Sequence, residues 1–307
     1  MLGLVGDEIW HLGYYIPNQP GGKLSMVERA RSGRTLGRRR ERLSDEETAR
    51  RVVDTATALV NRSGLTVGLD HISFEDVIRD AGVSRSSVYR RWPYKDEFFA
   101  DLLRELARAA VPATIVSEAE GMAGIRAIAA VHPEWLDDAA HRRDLLIEFI
   151  RLGALHDFEA MLDSTEWRTY LALHATFMGV EDPQLREELA AGLAGSEERF
   201  VSAIARSWAR MCALFGYRLR PGLGASFEIL ARMASADLRG HVLLALADSS
   251  VGAARLRCVL FGASGEAEWS LPALAMAAIA DAFLEPDPAQ SWDAARIASV
   301  RAELGQG

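Results

Sequence analysis

Seven residues between positions 85 and 95 carry the densest chemistry in the chain. Arg85, Ser86, Ser87, Tyr89, Arg90, Arg91 and Lys95 combine four cations, two hydroxyls and a phenol. Guanidinium groups bond base edges and phosphates, and hydroxyls and phenols reach phosphate oxygens. No acidic residue falls between Asp80 and Asp96, unlike the Glu/Lys mixture of an ordinary solvated helix. Catalysis has no comparable support. The seven histidines form neither an H-E-x-x-H nor an i, i+4 pair. G-x-S-x-G, P-loop and strand-linked G-x-G-x-x-G patterns are missing. Cys212 and Cys258 lie in no C-x-x-C, so neither a zinc cluster nor a disulfide framework is suggested. The reading is of a non-enzyme with no cofactor and no metal.

The elements that must position these groups are visible nearby. Ser73 is placed to cap a short helix whose Phe74, Val77, Ile78 and Ala81 make an i, i+3, i+4, i+7 stripe. Gly82 follows, where a left-handed residue suits a helix end. Val83 plugs the turn, and Ser84 caps a second helix carrying Val88 and Trp92. Two short helices across a tight Gly turn make a helix-turn-helix. An earlier helix opens on a capping box, Ser44 with Glu47, and runs through Ala49, Val52, Val53, Ala56 and Val60 to Gly64. A later one begins after Pro93, with Phe98, Phe99, Leu102, Leu103 and Leu106 on its apolar face.

Residues 72–97 resemble the DNA-binding segment of the TetR (tetracycline-repressor-like) family. The shared features are a Ser-initiated helix, Ala81-Gly82-Val83-Ser84, Tyr89 five residues after that serine, the aromatic Trp92, and Lys95 opening the next helix. The likeness spans about residues 44–105. It implies an all-α fold with an N-terminal three-helix DNA-binding unit and a larger, divergent helical ligand and dimer domain. It places Arg85, Ser86 and Ser87 at base-reading positions, Tyr89 at the tyrosine that meets the DNA backbone, Lys95 at a phosphate-binding lysine and Ser73 at a phosphate-touching helix start. Arg90 and Arg91 extend the cationic face. Glu75 and Asp76 depart from the pattern, where basic or neutral groups would suit DNA better.

Charge is distributed unevenly. Residues 23–95 hold 16 Lys+Arg against 10 Asp+Glu, whereas residues 96–307 hold 19 against 31, within a total of −8. A basic end marks a phosphate-binding surface and an acidic remainder is repelled from DNA. Residues 1–42 read as a flexible extension. Its Arg38, Arg39 and Arg40 belong either to a solvated tail or to an arm on DNA, and Met26 offers an alternative start. Residues 43–110 are the DNA-binding domain and 111–307 the helical ligand-binding and dimerisation domain. No apolar run has membrane-spanning length, and the two cysteines fit a cytoplasmic setting.

Helices are expected near 117–131, 140–152, 155–179, 184–215 and 225–247. The last two suit either a two-chain four-helix interface or closure of the monomer core. Residues 251–307 contain Gly262-Ala263-Ser264-Gly265, an apolar helix at 271–284, a loop at Pro286-Asp287-Pro288 and a last short helix, with no assigned role. Trp135, Phe149, Trp167, Tyr170, His174 and Phe177 are candidate ligand-pocket residues, with Met178 nearby and Arg151 and Arg168 to meet an acidic ligand. The same aromatics also suit a plain core, and His174 a hydrogen-bonded core histidine. Together these features predict a homodimeric regulator reading an inverted-repeat operator in double-stranded DNA and released by a small-molecule effector of unknown class. The alternative is an all-helical interaction protein with a degenerate helix-turn-helix.

Overall fold

A computed structural model of the chain describes residues 44–63, 72–110, 118–138 and 141–305. The Arg38–Arg40 arm, the rest of residues 1–42 and the Gly64 helix end lie outside the described residues. The described chain is predominantly helical. Four helices lead: α1 (Asp45–Ser63), α2 (Phe74–Ala81), α3 (Arg85–Arg91) and α4 (Lys95–Ala109). Local sequence sets their ends. Ser44 Oγ accepts from the Glu47 amide at 3.1 Å and Glu47 accepts from the Ser44 amide at 2.8 Å, so two otherwise unbonded helix donors are satisfied. That backbone bond holds the Glu47 carboxyl below its usual range. Ser73 and Ser84 cap α2 and α3 through their hydroxyl oxygens, which accept from the Asp76 and Ser87 amides, and Gly82 between them adopts φ 65°. A side chain would be strained in that conformation.

The remaining helices are α5 (Glu118–Val131), α6 (His141–Asp163), α7 (Thr165–Met178), α8 (Pro183–Leu214), α9 (Phe227–Ala247), α10 (Ser249–Ala253), α11 (Leu271–Phe283) and α12 (Ala294–Glu303). One expected boundary moves. The expected helices 140–152 and 155–179 leave a break at 153–154, yet α6 runs through Gly153 and ends at Asp163. A mid-helix glycine costs only about 1 kcal/mol, and the flanking Leu152 and Ala154 are both buried. The real break is at Ser164, whose hydroxyl caps α7 through the Trp167 amide at 3.1 Å.

Two small antiparallel pairs interrupt the expected all-helical pattern. β1 (Tyr217–Leu219) pairs with β4 (Leu284–Pro286), and β2 (Arg255–Cys258) pairs with β3 (Ala267–Ser270). β4 takes up the start of the predicted Pro286-Asp287-Pro288 loop, because a strand edge satisfies its backbone groups. No described helix is long and apolar enough to cross a membrane.

The core is shared across the expected domain boundary near residue 110. Val52, Val60, Phe74, Val88, Trp92 and Phe98 form one buried cluster with Ala172 and Leu173 of α7 and Leu189 and Leu193 of α8. A second cluster joins α5, α6, the end of α8, α9 and the C-terminal elements. α8 lies directly on α4. A β-carbon at Gly192 would sit 3.1 Å from that of Ala107. The carbonyls ending α4 find donors on α8, Ser196 Oγ for Ala110 and Arg199 for Arg108, where intrahelical partners run out.

Gly192→Leu is therefore expected to destabilise the fold by about 1–3 kcal/mol, the usual cost of overpacking. Denaturant unfolding measures this, and an unchanged midpoint would disprove the close α4–α8 approach.

Candidate nucleic-acid interface

The surface of α3 is built from beneath. Val88 and Trp92 point inward and are essentially inaccessible. Trp92 meets Phe98 edge-on at 5.4 Å between ring centres, and Phe98 stacks on Phe74 at 4.5 Å. These three rings tie α3 to the first turns of α2 and α4. Interlocked aromatic pairs add about 0.5–1.5 kcal/mol beyond the area they bury. With those residues inward, Arg85, Ser86, Tyr89, Arg90 and Arg91 are exposed and Ser87 is half-buried. Ser73 and Lys95, also exposed, flank this face at the starts of α2 and α4. The Lys95 ammonium lies 4.9 Å from the Phe99 ring centre. Ser84 donates to Ser87 Oγ at 2.8 Å, and its oxygen is 3.2 Å from Ser86 Oγ.

The cations of α3 are not unopposed, as their local sequence suggested. Glu75 lies 2.6 Å from Arg85, Asp45 pairs with Arg90, and Asp101 is 3.4 Å from Arg91. All three carboxylates come from other helices, so no reading of positions 80–96 could find them. Glu75 holds two of the candidate groups together: the Tyr89 hydroxyl also donates to it, at 2.7 Å. That hydrogen bond is the main reason the Tyr89 phenol ionises above its usual range. Asp76 pairs with Arg79 at 2.7 Å. These pairs are solvent-exposed and contribute little to stability. They do set where each guanidinium points.

Behind α3 the polar contacts continue into the bundle. Trp92 Nε1 donates to Asp101 at 2.9 Å. Asp101 also receives Arg104, and Arg104 bonds Glu188 of α8 at 2.5 Å. The sequence signals nothing of this chain of contacts, which joins residues up to 84 positions apart.

The six candidate pocket residues are dispersed. Phe149 alone lines the apolar cavity between α5, α6, α8, α9 and α11. Trp135 stacks on His132 beside the 3-10 turn Pro133–Leu136. Trp167 is buried against Phe158, Met161, Leu238 and Val242. Tyr170 faces a separate opening between α1, α4 and α7. Its hydroxyl accepts from Arg239 at 3.1 Å, and burial raises its pKa. His174 Nδ1 is 2.9 Å from the Tyr170 carbonyl, the environment of a core histidine. Phe177 packs on the α1–α4 core. Met178 is exposed. Arg151 is engaged by Glu148 and the Glu268 carbonyl, and Arg168 by the carbonyls ending α6. These residues share the middle of the chain, but consecutive helices turn their faces to different neighbours. Among the described residues no cluster of His, Cys, Asp and Glu could hold a metal ion.

No protein-family model, curated protein or solved structure matches this chain.

The Glu75 contact makes a prediction that needs no ligand. In Glu75→Gln one tyrosine should ionise at lower pH than in the parent, seen as phenolate absorbance during an alkaline titration. Tyr89→Phe should remove that component. A titration identical in parent and Glu75→Gln would mean that Tyr89 does not bond Glu75 in solution.

Proposed function

We propose that this chain is a TetR-like, sequence-specific DNA-binding regulator, working as a homodimer and acting as a repressor released by a small molecule. One observation carries the reading. A rigid aromatic base presents Arg85, Ser86, Tyr89, Arg90 and Arg91 outward on one short helix, with Ser73 and Lys95 at the flanking helix starts. α2, α3 and their Gly82 turn are read as a helix-turn-helix, with α3 in the major groove. Arg85 reads a base edge. Lys95 meets a phosphate beside the amide donors at the start of α4, and Ser73 does so at the start of α2. Tyr89 reaches the DNA backbone.

Glu75 fits this role as an internal counter-ion. It neutralises Arg85 while DNA is absent and keeps one face of the guanidinium directed. Homodimerisation draws support from α9. Its Ile229, Met233, Leu243 and Leu244 are exposed and recur at helical spacing along one side, an apolar row that a second copy would cover. A dimer sets two reading helices about one DNA turn apart and so selects inverted repeats.

The second reading is a helical interaction protein. It is favoured by the pairing of each α3 arginine with a carboxylate and by the net charge of −8. Selection of bound duplexes from a random pool separates the two. An inverted repeat is expected, with affinity falling steeply as salt rises. Weak binding without a motif would favour the interaction protein.

Two substitutions divide the interface. Arg85→Ala should relax preference at one position in each half-site, at a cost of about 1–3 kcal/mol against the preferred base. Unchanged preference would remove Arg85 from base reading. Lys95→Ala should weaken binding to all sequences alike and lower the salt slope by about one. A sequence-selective loss would contradict a phosphate contact.

A further inference from the structure

A mostly apolar cavity lies in the C-terminal bundle, away from α3. Its volume is 90 Å³ and it is partly open to solvent. Phe149, Ile150, Trp208, Met211, Met276 and Ile279 are among the residues of its wall. Its polar side chains are those of Asp157, Ser207 and Cys212 with the indole of Trp208, and among the described residues no Arg, Lys or His lines it. Burial pushes the Cys212 thiol up to about 12, so it stays neutral and marks a dry wall.

The space exists because small residues face it: Gly121, Gly153, Ala154 and Ala280. Gly153 is the most telling of these. It sits inside a 23-residue helix, where alanine would be more stable by about 0.5–1 kcal/mol. A β-carbon there would touch nothing within 4 Å. The helix gives up stability at a position where a side chain would enter open space. One side of the hollow is built by the segment after residue 250, through Met276, Ile279 and Ala280 of α11 and Leu284 of β4. β4 is held in place by pairing with β1.

We infer that this cavity binds an uncharged apolar molecule, an aromatic ring or alkyl chain with at most a hydroxyl head, and that residues 271–284 complete the site. A carboxylate would enter with no cation to meet it and lose its hydration, a large penalty in an apolar setting. An ammonium would lose the same hydration, and Asp157, the anionic side chain among the described lining residues, already has a partner within the protein. Aromatic, aliphatic and Met side chains supply contact area, and the two methionines adapt to shape. The regulatory consequence, that such a molecule releases DNA, rests on the reading proposed above. Binding itself does not.

The test uses the full chain with 1-octanol, octanoate and octylamine as matched probes, followed by calorimetry and thermal shift. 1-Octanol is expected to bind saturably, with octanoate and octylamine at least about tenfold weaker because each must bury a charge. Gly153→Leu and Ala280→Leu, each checked for native circular dichroism, should weaken 1-octanol binding by at least about tenfold by occupying the hollow. Gly153→Ala should remain folded with an equal or higher melting temperature. No binding of 1-octanol, equal or tighter binding of either charged probe, or unchanged 1-octanol binding in whichever leucine variant is folded, would overturn the inference. Saturable 1-octanol binding by a protein that selects no DNA motif would leave the cavity assignment standing and refute the regulator.

Discussion

The packing of Trp92, Phe98 and Phe74 is the constraint on which the candidate interface depends. A helix of seven residues cannot hold its own conformation in water. Its orientation has to be imposed from outside, and here three interlocked rings impose it. Trp92 closes α3 and Phe98 opens the apolar face of α4, so the turn around Pro93 has little freedom. Once the rings are seated, helical geometry alone turns Arg85, Tyr89 and Arg90 outward. The serine caps and Gly82 then satisfy or relax the backbone at each end of these short helices.

The same rings connect that surface to the rest of the molecule. The indole of Trp92 and the guanidinium of Arg91 share Asp101, which is joined through Arg104 to Glu188 on α8. α8 is a rod of 32 residues, about 48 Å at the usual helical rise. Near its start it carries Glu188 and Gly192, which dock on α4. Near its end it carries Trp208, Met211 and Cys212, which wall the cavity. A single long element thus joins the helix behind the α3 face to the cavity wall. In the regulator reading, effector binding displaces this rod and α4 moves with it.

Local signals are legible in the sequence, and relations between distant segments are not. The Ser44–Glu47 box, the Ser73 and Ser84 caps and the apolar stripe of α2 each fall within one or two helical turns, so residue order alone reveals them. The outward face of α3 follows from the same periodicity. The carboxylates opposing Arg85 and Arg90 arrive from positions 75 and 45, and proximity in sequence carries no trace of them. The cavity escapes for the same reason. It draws on five helices and a strand, so aromatics chosen from the middle helices could not converge on it. The expected break at 153–154 fails for a different reason: only the packing of Leu152 and Ala154 on either side of Gly153 shows that α6 continues.

Arginine and lysine differ in more than geometry. The chain has 33 arginines and two lysines, Lys23 and Lys95, so primary side-chain amines are scarce. Lys95 is the only one among the described residues, and it is exposed at the rim of the α3 face. A guanidinium resists acylation, whereas an ammonium loses its charge when acetylated. Among the described residues, electrophiles that seek amines, whether an acetyl donor in the cell or a fluorescent ester at the bench, therefore have their one lysine target on this rim. A single covalent event there would erase a positive charge beside α3 and leave the arginines unchanged.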